Sequence, residues 1–533
     1  MMILGIKEDR GMKKIYTIVM MAAALAACNQ EELPQIVEEP EAPTYTMIIE
    51  ATKGEDDNTK ALSLSGKALN ATWAEGEAVT VYNVTRSADL SGTLTAQSSG
   101  TSTVLKGTLT GTIQNGDQLK LMFCSPSYAS QTGTLEYIAA NCDYAEATTT
   151  VSAVADGMIT ASAASFVNQQ AIVKFTLKNK ATNAAINATQ LVIGDGSRTF
   201  TVTPTSATSE IFVALPSFSN KTITLTTTDG DDNYIYEKSG VTFNNSQYYE
   251  ITVKMATCTG TEDAPYLITS VADWNNLATK VNNGNNFSGK FFRLTADIDV
   301  TTMVGNSESN SFMGTFDGNG HTLNISYNTT SDYTAPFRYI QGATFKNLKV
   351  TGSITTTMNL AAGIAGLNTG SSATFDQCVT DITINSTSST LVGWGKVDYH
   401  GGLLARTTNK DVTITDCVCS GTVNASSSTN SNCASFVGVA ENCTVHATRC
   451  ISTTSYTNVY CWNSLCHSAD AERDASVFYY LYADDTANVG EQVTSSQLAD
   501  GSYATALQAG RSTTVWVQDA TINQPMLKLF AHN

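Results

Sequence analysis

Between residues 336 and 451 the chain repeats a short pattern that leaves few folds open. Gly363-Ile-Ala-Gly366 precedes Thr374-Phe-Asp-Gln-Cys378-Val. Gly401-Gly-Leu-Leu-Ala405 precedes Val412-Thr-Ile-Thr-Asp-Cys417-Val, and Ser435-Phe-Val-Gly438 precedes Val445-His-Ala-Thr-Arg-Cys450-Ile. An earlier unit, Pro336-Phe-Arg-Tyr-Ile340 followed by Phe345-Lys-Asn-Leu-Lys-Val350, keeps the rhythm without the cysteine. A small-apolar strand, a turn and a second apolar strand, recurring every few tens of residues, cannot bury an apolar row alone. Stacked coils can, which predicts a solenoid.

Upstream of the repeats one helix is predicted. Ser270 is its N-cap with Asp273 three residues on. Val271, Trp274, Leu277, Ala278 and Val281 share one face, and Gly284 is the stop. The rest of the chain favours strands and turns: 15% of residues are charged, and Thr, Ser, Asn and Gly are abundant. Short alternating segments include Tyr45–Ala51, Ala78–Tyr82 and Gln118–Phe123, the last after the hairpin-type dipeptide Asn115-Gly116. A second block follows at 171–177, 190–193, 199–202, 210–215, 222–225 and 248–253. Even spacing with turn signals predicts β-sandwiches, divided near residue 160.

The N-terminus is a leader. Lys13 and Lys14 precede an apolar run, Ile15 to Leu25, that is too short to span a bilayer. Leu25-Ala26-Ala27-Cys28 then resembles a bacterial lipobox, which implies cleavage between Ala27 and Cys28 and acylation of the Cys28 thiol. The alternative is an ordinary signal peptide followed by a chance cysteine. Asn29 to Pro43 is acidic and Pro-rich, an extended tether. Its opening Asn29-Gln30-Glu31-Glu32 resembles the export signal of surface-exposed lipoproteins in some Gram-negative anaerobes. The whole chain carries −18, and the leader is positive, so the mature protein is near −20. Nucleic acid and anionic head groups repel such a chain.

Trp73-Ala-Glu-Gly-Glu77 followed by Val79-Thr-Val-Tyr82 resembles the first domain of fimbrillin-like proteins, the subunits of type V pili. The block from 171 to 253 is similar to their second domain. Residues 258–465 resemble the GLUG-repeat right-handed β-helix family: Trp274 stands on its capping helix, and Asp317-Gly-Asn-Gly-His321 begins its coils. The tail, with Trp516-Val-Gln-Asp519 and Gln524-Pro-Met-Leu527, resembles the closing segment and is expected over the open end of the last coil. The fold expected is therefore all-β. Residues 1–27 are the leader and 28–44 the tether. Two fimbrillin-like sandwiches span 45–159 and 160–256, and a right-handed parallel β-helix with an N-terminal capping helix spans 257–533.

Residues that could carry chemistry are few. Setting Cys28 aside, eleven cysteines remain, so at least one cannot pair within the chain. Cys378, Cys417 and Cys450 read as small apolar residues stacked inside the coils. The sharper reading, a metal site from Cys417, Cys419, Cys461, Cys466 and His467, lacks zinc-finger spacing. Disulfides Cys461–Cys466 or Cys433–Cys443 are alternatives. Asp229-Gly-Asp231-Asp232-Asn233 offers calcium ligands but reads more simply as a hairpin turn. Glycoside hydrolysis needs two facing carboxylates. Asp297, Asp299, Asp317 and Asp376 fall on different coils, and His321 faces a turn or solvent. No nucleophile elbow, phosphate loop or cofactor motif occurs. Trp394 and Tyr399 belong to a Ser/Thr-rich insertion between coils, Asn385 to Tyr399, where they either contact a ligand or pack on the coil beneath. Tyr333 and Tyr339 join them as candidate ligand-surface aromatics.

The resemblance to fimbrillins implies a cell-surface lipoprotein acting as a pilus-associated, tip-type adhesin or surface binding protein, with the β-helix as its binding head. Its partners would be the outer membrane through acyl chains on Cys28, other pilus subunits by strand donation, and a host or microbial glycan or protein. Strand donation follows a protease clip after a basic residue, for which Lys60 is the candidate. No enzyme activity or cofactor is expected. The alternative is a lipid-anchored glycan-binding or polysaccharide-degrading β-helix protein, and a third reading is a structural surface protein without a ligand.

Overall fold

The computed structural model describes residues 42–53, 63–65, 68–70, 72–124, 127–230, 232–387, 391–392, 395–396, 398–425, 431–459, 461–467, 470–483 and 489–532. Ala27, Cys28, Lys60 and Trp394 lie outside them. The architecture is all-β, with sandwich-like sheets followed by long parallel ladders. Two compact units divide the chain. Of the described residues, the first comprises 42–53, 72–124 and 145–167; the second comprises the others.

In the first unit an alternating burial pattern drives Thr44–Lys53, Ala78–Asn83 and Gln118–Phe123 into strands with one face inward. Thr44–Lys53 pairs antiparallel with Ser102–Thr110, and the sheet continues through Ala88–Ala96, Ala78–Asn83, Gln118–Phe123 and Ala145–Ala155. Met158–Ala161 and Ala164–Asn168 then return to pair parallel with Thr44–Lys53. The sheet thus closes on itself, and neither edge of the first strand is free. Ala164–Asn168 carries the unit past the division expected near residue 160. Asn115-Gly116 makes a turn, but not a hairpin: the strands on either side of it are separated in the sheet by two others. Trp73 fills the core edge-on to Phe123 and Phe166, at 5.6 and 5.0 Å. The Lys53 ammonium is buried 3.5 Å above the Phe123 ring.

The second unit opens with seven strands ordered 199–202, 191–194, 218–229, 232–243, 248–257, 170–179 and 210–216. Gln170–Asn179 runs parallel to Tyr248–Thr257 and antiparallel to Glu210–Pro216. The free edge of Glu210–Pro216 is covered by residues from the 127–144 segment. The Gln131 side-chain amide donates to the Ala214 carbonyl and accepts from the Ala214 N–H, at 2.9 and 2.8 Å, imitating a strand.

From Tyr266 onward the strands stack in parallel, apart from the antiparallel pairs of 391–392 with 395–396 and Trp516–Asp519 with Gln524–Leu527. One ladder joins Phe291–Leu294, Thr315–Asp317, Thr344–Lys346, Ala373–Asp376, Val412–Thr415 and Thr444–Ser452. A second joins Ile298–Val300, Thr322–Thr329, Lys349–Thr356, Val379–Ser386 and Val418–Asn424. A third joins Phe337–Ile340, Ala365–Asn368, Leu404–Thr408, Val437–Glu441 and Cys466–His467. Every turn of chain adds one strand to each ladder, so the repeats are coils. The interior is a column of in-register apolar side chains: Phe292, Phe316, Phe345, Phe375, Ile414 and Ala447. Phe345 and Phe375 stack at 5.4 Å.

The first and second ladders meet at a tight corner. Its first residue is left-handed in coil after coil: Asn347, Gln377, Asp416, Arg449 and Val477 all have φ between 52 and 55°. The next residue turns inward, as Leu348, Cys378, Cys417, Cys450 and Phe478. The recurrent cysteines are therefore fully buried corner residues. Cys417 donates its thiol hydrogen to the Thr415 carbonyl and accepts from the Cys378 N–H.

The helix spans Val271–Asn282 with Ser270 as N-cap. Trp274, Leu277, Ala278 and Val281 are buried, Val271 is exposed, and Trp274 packs edge-on against Phe316 and Phe337. The tail is placed differently from the expectation. Glu491–Gln492 adds to the last coil, but the following segment lies along the flank of the stack. The outward row Val379, Val418 and Ile451 is apolar and needs cover, and Val493, Leu498, Leu507, Trp516 and Leu527 supply it. Asp416 fixes the segment: it accepts from the Trp516 indole N–H at 2.7 Å and pairs with Arg449 at 3.2 Å and with Arg511. Leu529 reaches Gly320 in an early coil. Among the described residues no helix is long and apolar enough to cross a membrane.

Candidate functional site

The outward side chains of the first ladder form a row in strict register. Leu267, Arg293, Asp317, Lys346, Asp376, Thr415, Thr448 and Ser476 follow one another coil by coil. Strand alternation makes this unavoidable: each of the four charged residues follows an inward phenylalanine, as Phe292-Arg293, Phe316-Asp317, Phe345-Lys346 and Phe375-Asp376. Charges therefore alternate along the row at about 4.8 Å per step. The ion pairs are loose. Asp317 Oδ2 stands 3.8 Å from Arg293 Nε and 3.7 Å from Lys346 Nζ, beyond hydrogen-bond length. Asp317 Oδ1 is occupied by the Asn319 N–H and the Asn347 amide, at 2.9 and 3.0 Å. Burial, and then the charge of Asp416, push the Asp376 carboxyl above its ordinary range.

The start of this row borders a cleft of about 640 Å³ within the second unit. Strands Asp232–Phe243 and Tyr248–Thr257 form one wall and the first coils the other. Lys180, Lys254, Arg293 and Lys346 face Glu237, Glu262, Asp263 and Asp317 there, with Tyr236, Pro265 and Phe291 between them. Arg293 Nη1 donates to Glu237 at 3.2 Å, linking the two walls.

The third ladder carries a second row: Tyr339, Leu367, Arg406, Val439 and His467. Tyr333 lies edge-on to Tyr339 at 5.6 Å, and Arg338 sits over the Tyr339 ring. Arg406 donates to Glu441 at 2.8 Å. Tyr399 packs over the buried cluster of Leu360, Ala362, Ala405 and Val439, with its ring 5.5 Å from that of His467. Burial raises the pKa of the Tyr333 and Tyr399 hydroxyls. Tyr399 is thus half-buried on the coil beneath, beside the row rather than projecting from it.

The other candidates separate. His321 Nδ1 is 3.3 Å from Asp297 of the preceding coil, in a contact that is itself partly open to solvent. Asp317 and Asp376 share a row, two steps or about 9.6 Å apart along the backbone, with Lys346 between them. Asp297 and Asp299 belong to another stretch of the coil. Asp229 and Asp232 pair across a hairpin, and Asp229 accepts from the Asn187 N–H. Among the described residues no three His, Cys, Asp or Glu side chains converge as metal ligands. Cys443 is a half-buried free thiol, not bonded to Cys433. The side chain of Cys461 lies outside the described residues.

No family model and no curated protein matches this chain. Among solved structures, a fimbrial assembly protein from Parabacteroides distasonis is 10% identical, over 39% of this chain and 90% of that one, with a TM-score of 0.22. A fimbrial protein from Bacteroides ovatus is 11% identical, over 40% and 50%, with a TM-score of 0.19. A shaft pilin from Lactobacillus rhamnosus is 14% identical, over 40% and 98%, also with a TM-score of 0.19. Likenesses at such scores assign this chain no role.

Proposed function

We propose that this chain is a cell-surface lipoprotein, anchored in the outer membrane through Cys28, that acts as a pilus-associated, tip-type adhesin or surface binding protein. Two fimbrillin-like β units carry a right-handed parallel β-helix as the binding head. The observation that carries the reading is the pair of outward rows on the coil stack. The first presents charged and polar side chains at one-coil intervals from Arg293 to Ser476, and the second brings Tyr339, Arg406 and His467 out between the buried Leu367 and Val439, a regular surface suited to an extended ligand. Right-handed winding is the hand taken by nearly all parallel crossovers.

Strand donation would act on the first unit. Removing Thr44–Lys53 would open the closed sheet between Ser102–Thr110 and the pair Met158–Ala161 and Ala164–Asn168. N-terminal sequencing of assembled material tests this: a start just after Lys60 supports clipping, and a start at Cys28 removes it. Adhesion is tested with the mature chain on arrays of glycans and host proteins; no retention on either sinks the adhesin reading.

A second reading, a lipid-anchored polysaccharide-degrading protein, is favoured by the Asp317–Lys346–Asp376 row. Release of new sugar ends from plant, host or microbial polysaccharides would establish it.

A further inference from the structure

We infer that the cleft between the seven-stranded sheet and the first coils, together with the charged row continuing from it, binds a linear glycan through its hydroxyl groups; this rests on the binding-head reading above. Four cations and four carboxylates line the cleft, so its wall has no net charge inside a strongly acidic chain. A phosphate or a sulfated polymer would meet as much repulsion as attraction there. A sugar hydroxyl is both donor and acceptor, and it needs cationic donors and carboxylate acceptors side by side. The gaps of 3.7 and 3.8 Å around Asp317 Oδ2 leave that oxygen without a hydrogen bond from either cation. A hydroxyl seated beside it can donate to Asp317 and accept from Lys346, whose side chain is 29% exposed. Tyr236 and Phe291 are half-buried in the same wall and offer apolar surface to the C–H faces of a pyranose ring. The volume lies within the range of small-ligand clefts. Beyond it the row passes to Asp376 and then to Thr415, Thr448 and Ser476, all hydrogen-bonding residues in register. A chain lying along the coil axis therefore meets a polar group at each step of about 4.8 Å.

The test is an array of immobilised neutral, sialylated and uronic-acid-containing oligosaccharides, probed with the mature chain and followed by calorimetric titration of the best glycan retained. Lys346→Met and Arg293→Met each remove a cleft donor, and Tyr339→Ala alters the row on the third ladder. Lys346→Met keeps the Arg293 contacts, so it preserves the fold even if Arg293→Met does not; circular dichroism melts check both. The expected result is a loss of affinity of about tenfold to a hundredfold in the cleft variants, larger than any loss in Tyr339→Ala, with Lys106→Met on the exposed face of the first unit within about twofold of the parent. Loss in Tyr339→Ala alone overturns the cleft and leaves the binding head standing. Retention on a host-protein array without any glycan overturns the saccharide class but not the head. Binding to neither array overturns both.

Discussion

Replacing Asp416 with alanine is expected to release the C-terminal segment from the flank of the coils. The carboxylate is 1% exposed and serves three donors. It accepts from the indole of Trp516, itself fully buried, and pairs with Arg449 and Arg511, which are about a quarter exposed. Alanine leaves the indole N–H buried without a partner, and losing such a charge-assisted bond costs about 1.5–3 kcal/mol. The two guanidiniums reach water and add less than a fully buried pair would. The total falls in the range of about 3–5 kcal/mol for breaking a buried ion pair. At about 1.4 kcal/mol per tenfold, that is a shift of a hundredfold or more in the docked population. Amide hydrogen exchange across Trp516–Asp519 and Gln524–Leu527 reads it directly. Asp416→Asn, which keeps an acceptor for the indole but loses the charge, is expected to fall between alanine and the parent. Exchange within about threefold of the parent in Asp416→Ala would refute the reasoning, because it would mean the apolar row alone holds the segment.

Three further outcomes follow from the packing. Cys378, Cys417 and Cys450 are fully buried, so a maleimide should leave them unlabelled in the folded chain and label them in denaturant, as read by mass spectrometry. Phe345→Ala empties a site between Phe316 and Phe375 and should cost about 3–5 kcal/mol in denaturant unfolding of the second unit. Asp195 and Asp376 should act oppositely with pH. Burial raises the pKa of Asp195, but hydrogen bonds from Ser197 and Arg198 outweigh it and leave the folded carboxyl low. Its stabilisation is present above the ordinary carboxylate pKa and lost as pH falls through the folded value. Asp376 is raised by burial and by Asp416, so its ionisation opposes folding at neutral pH, and that cost fades as pH falls. Melting curves of Asp195→Asn and Asp376→Asn at pH 7 should therefore shift down and up respectively.

The strands and the helix were legible because alternation and capping are local. Ser270, Trp274 and Gly284 fall in their expected places on the helix or just beyond it, and the recurrent cysteines are inward, as their repeat positions implied. The charged row was also written in the sequence, as four phenylalanines each followed by a charged residue, but two of these pairs, Phe292-Arg293 and Phe316-Asp317, lie upstream of the repeats between residues 336 and 451. What could not be read locally was pairing over long distance. The closure of the first sheet depends on Thr44–Lys53 meeting residues more than 100 positions away. The tail was misplaced for the same reason. Val379, Val418 and Ile451 look like ordinary strand residues until their register shows a continuous apolar stripe facing outward.

That strap changes how the stack can come apart. An array of coils held only by neighbour contacts frays from its ends, one coil at a time. Here a single segment touches the last coil through Val493 and Tyr480, the middle coils through Trp516, and an early coil through Leu529. No middle coil can peel away without releasing the strap, and releasing the strap exposes apolar surface on several coils at once. The coils are thereby made to melt together, so the surface they present stays in register until the whole stack gives way.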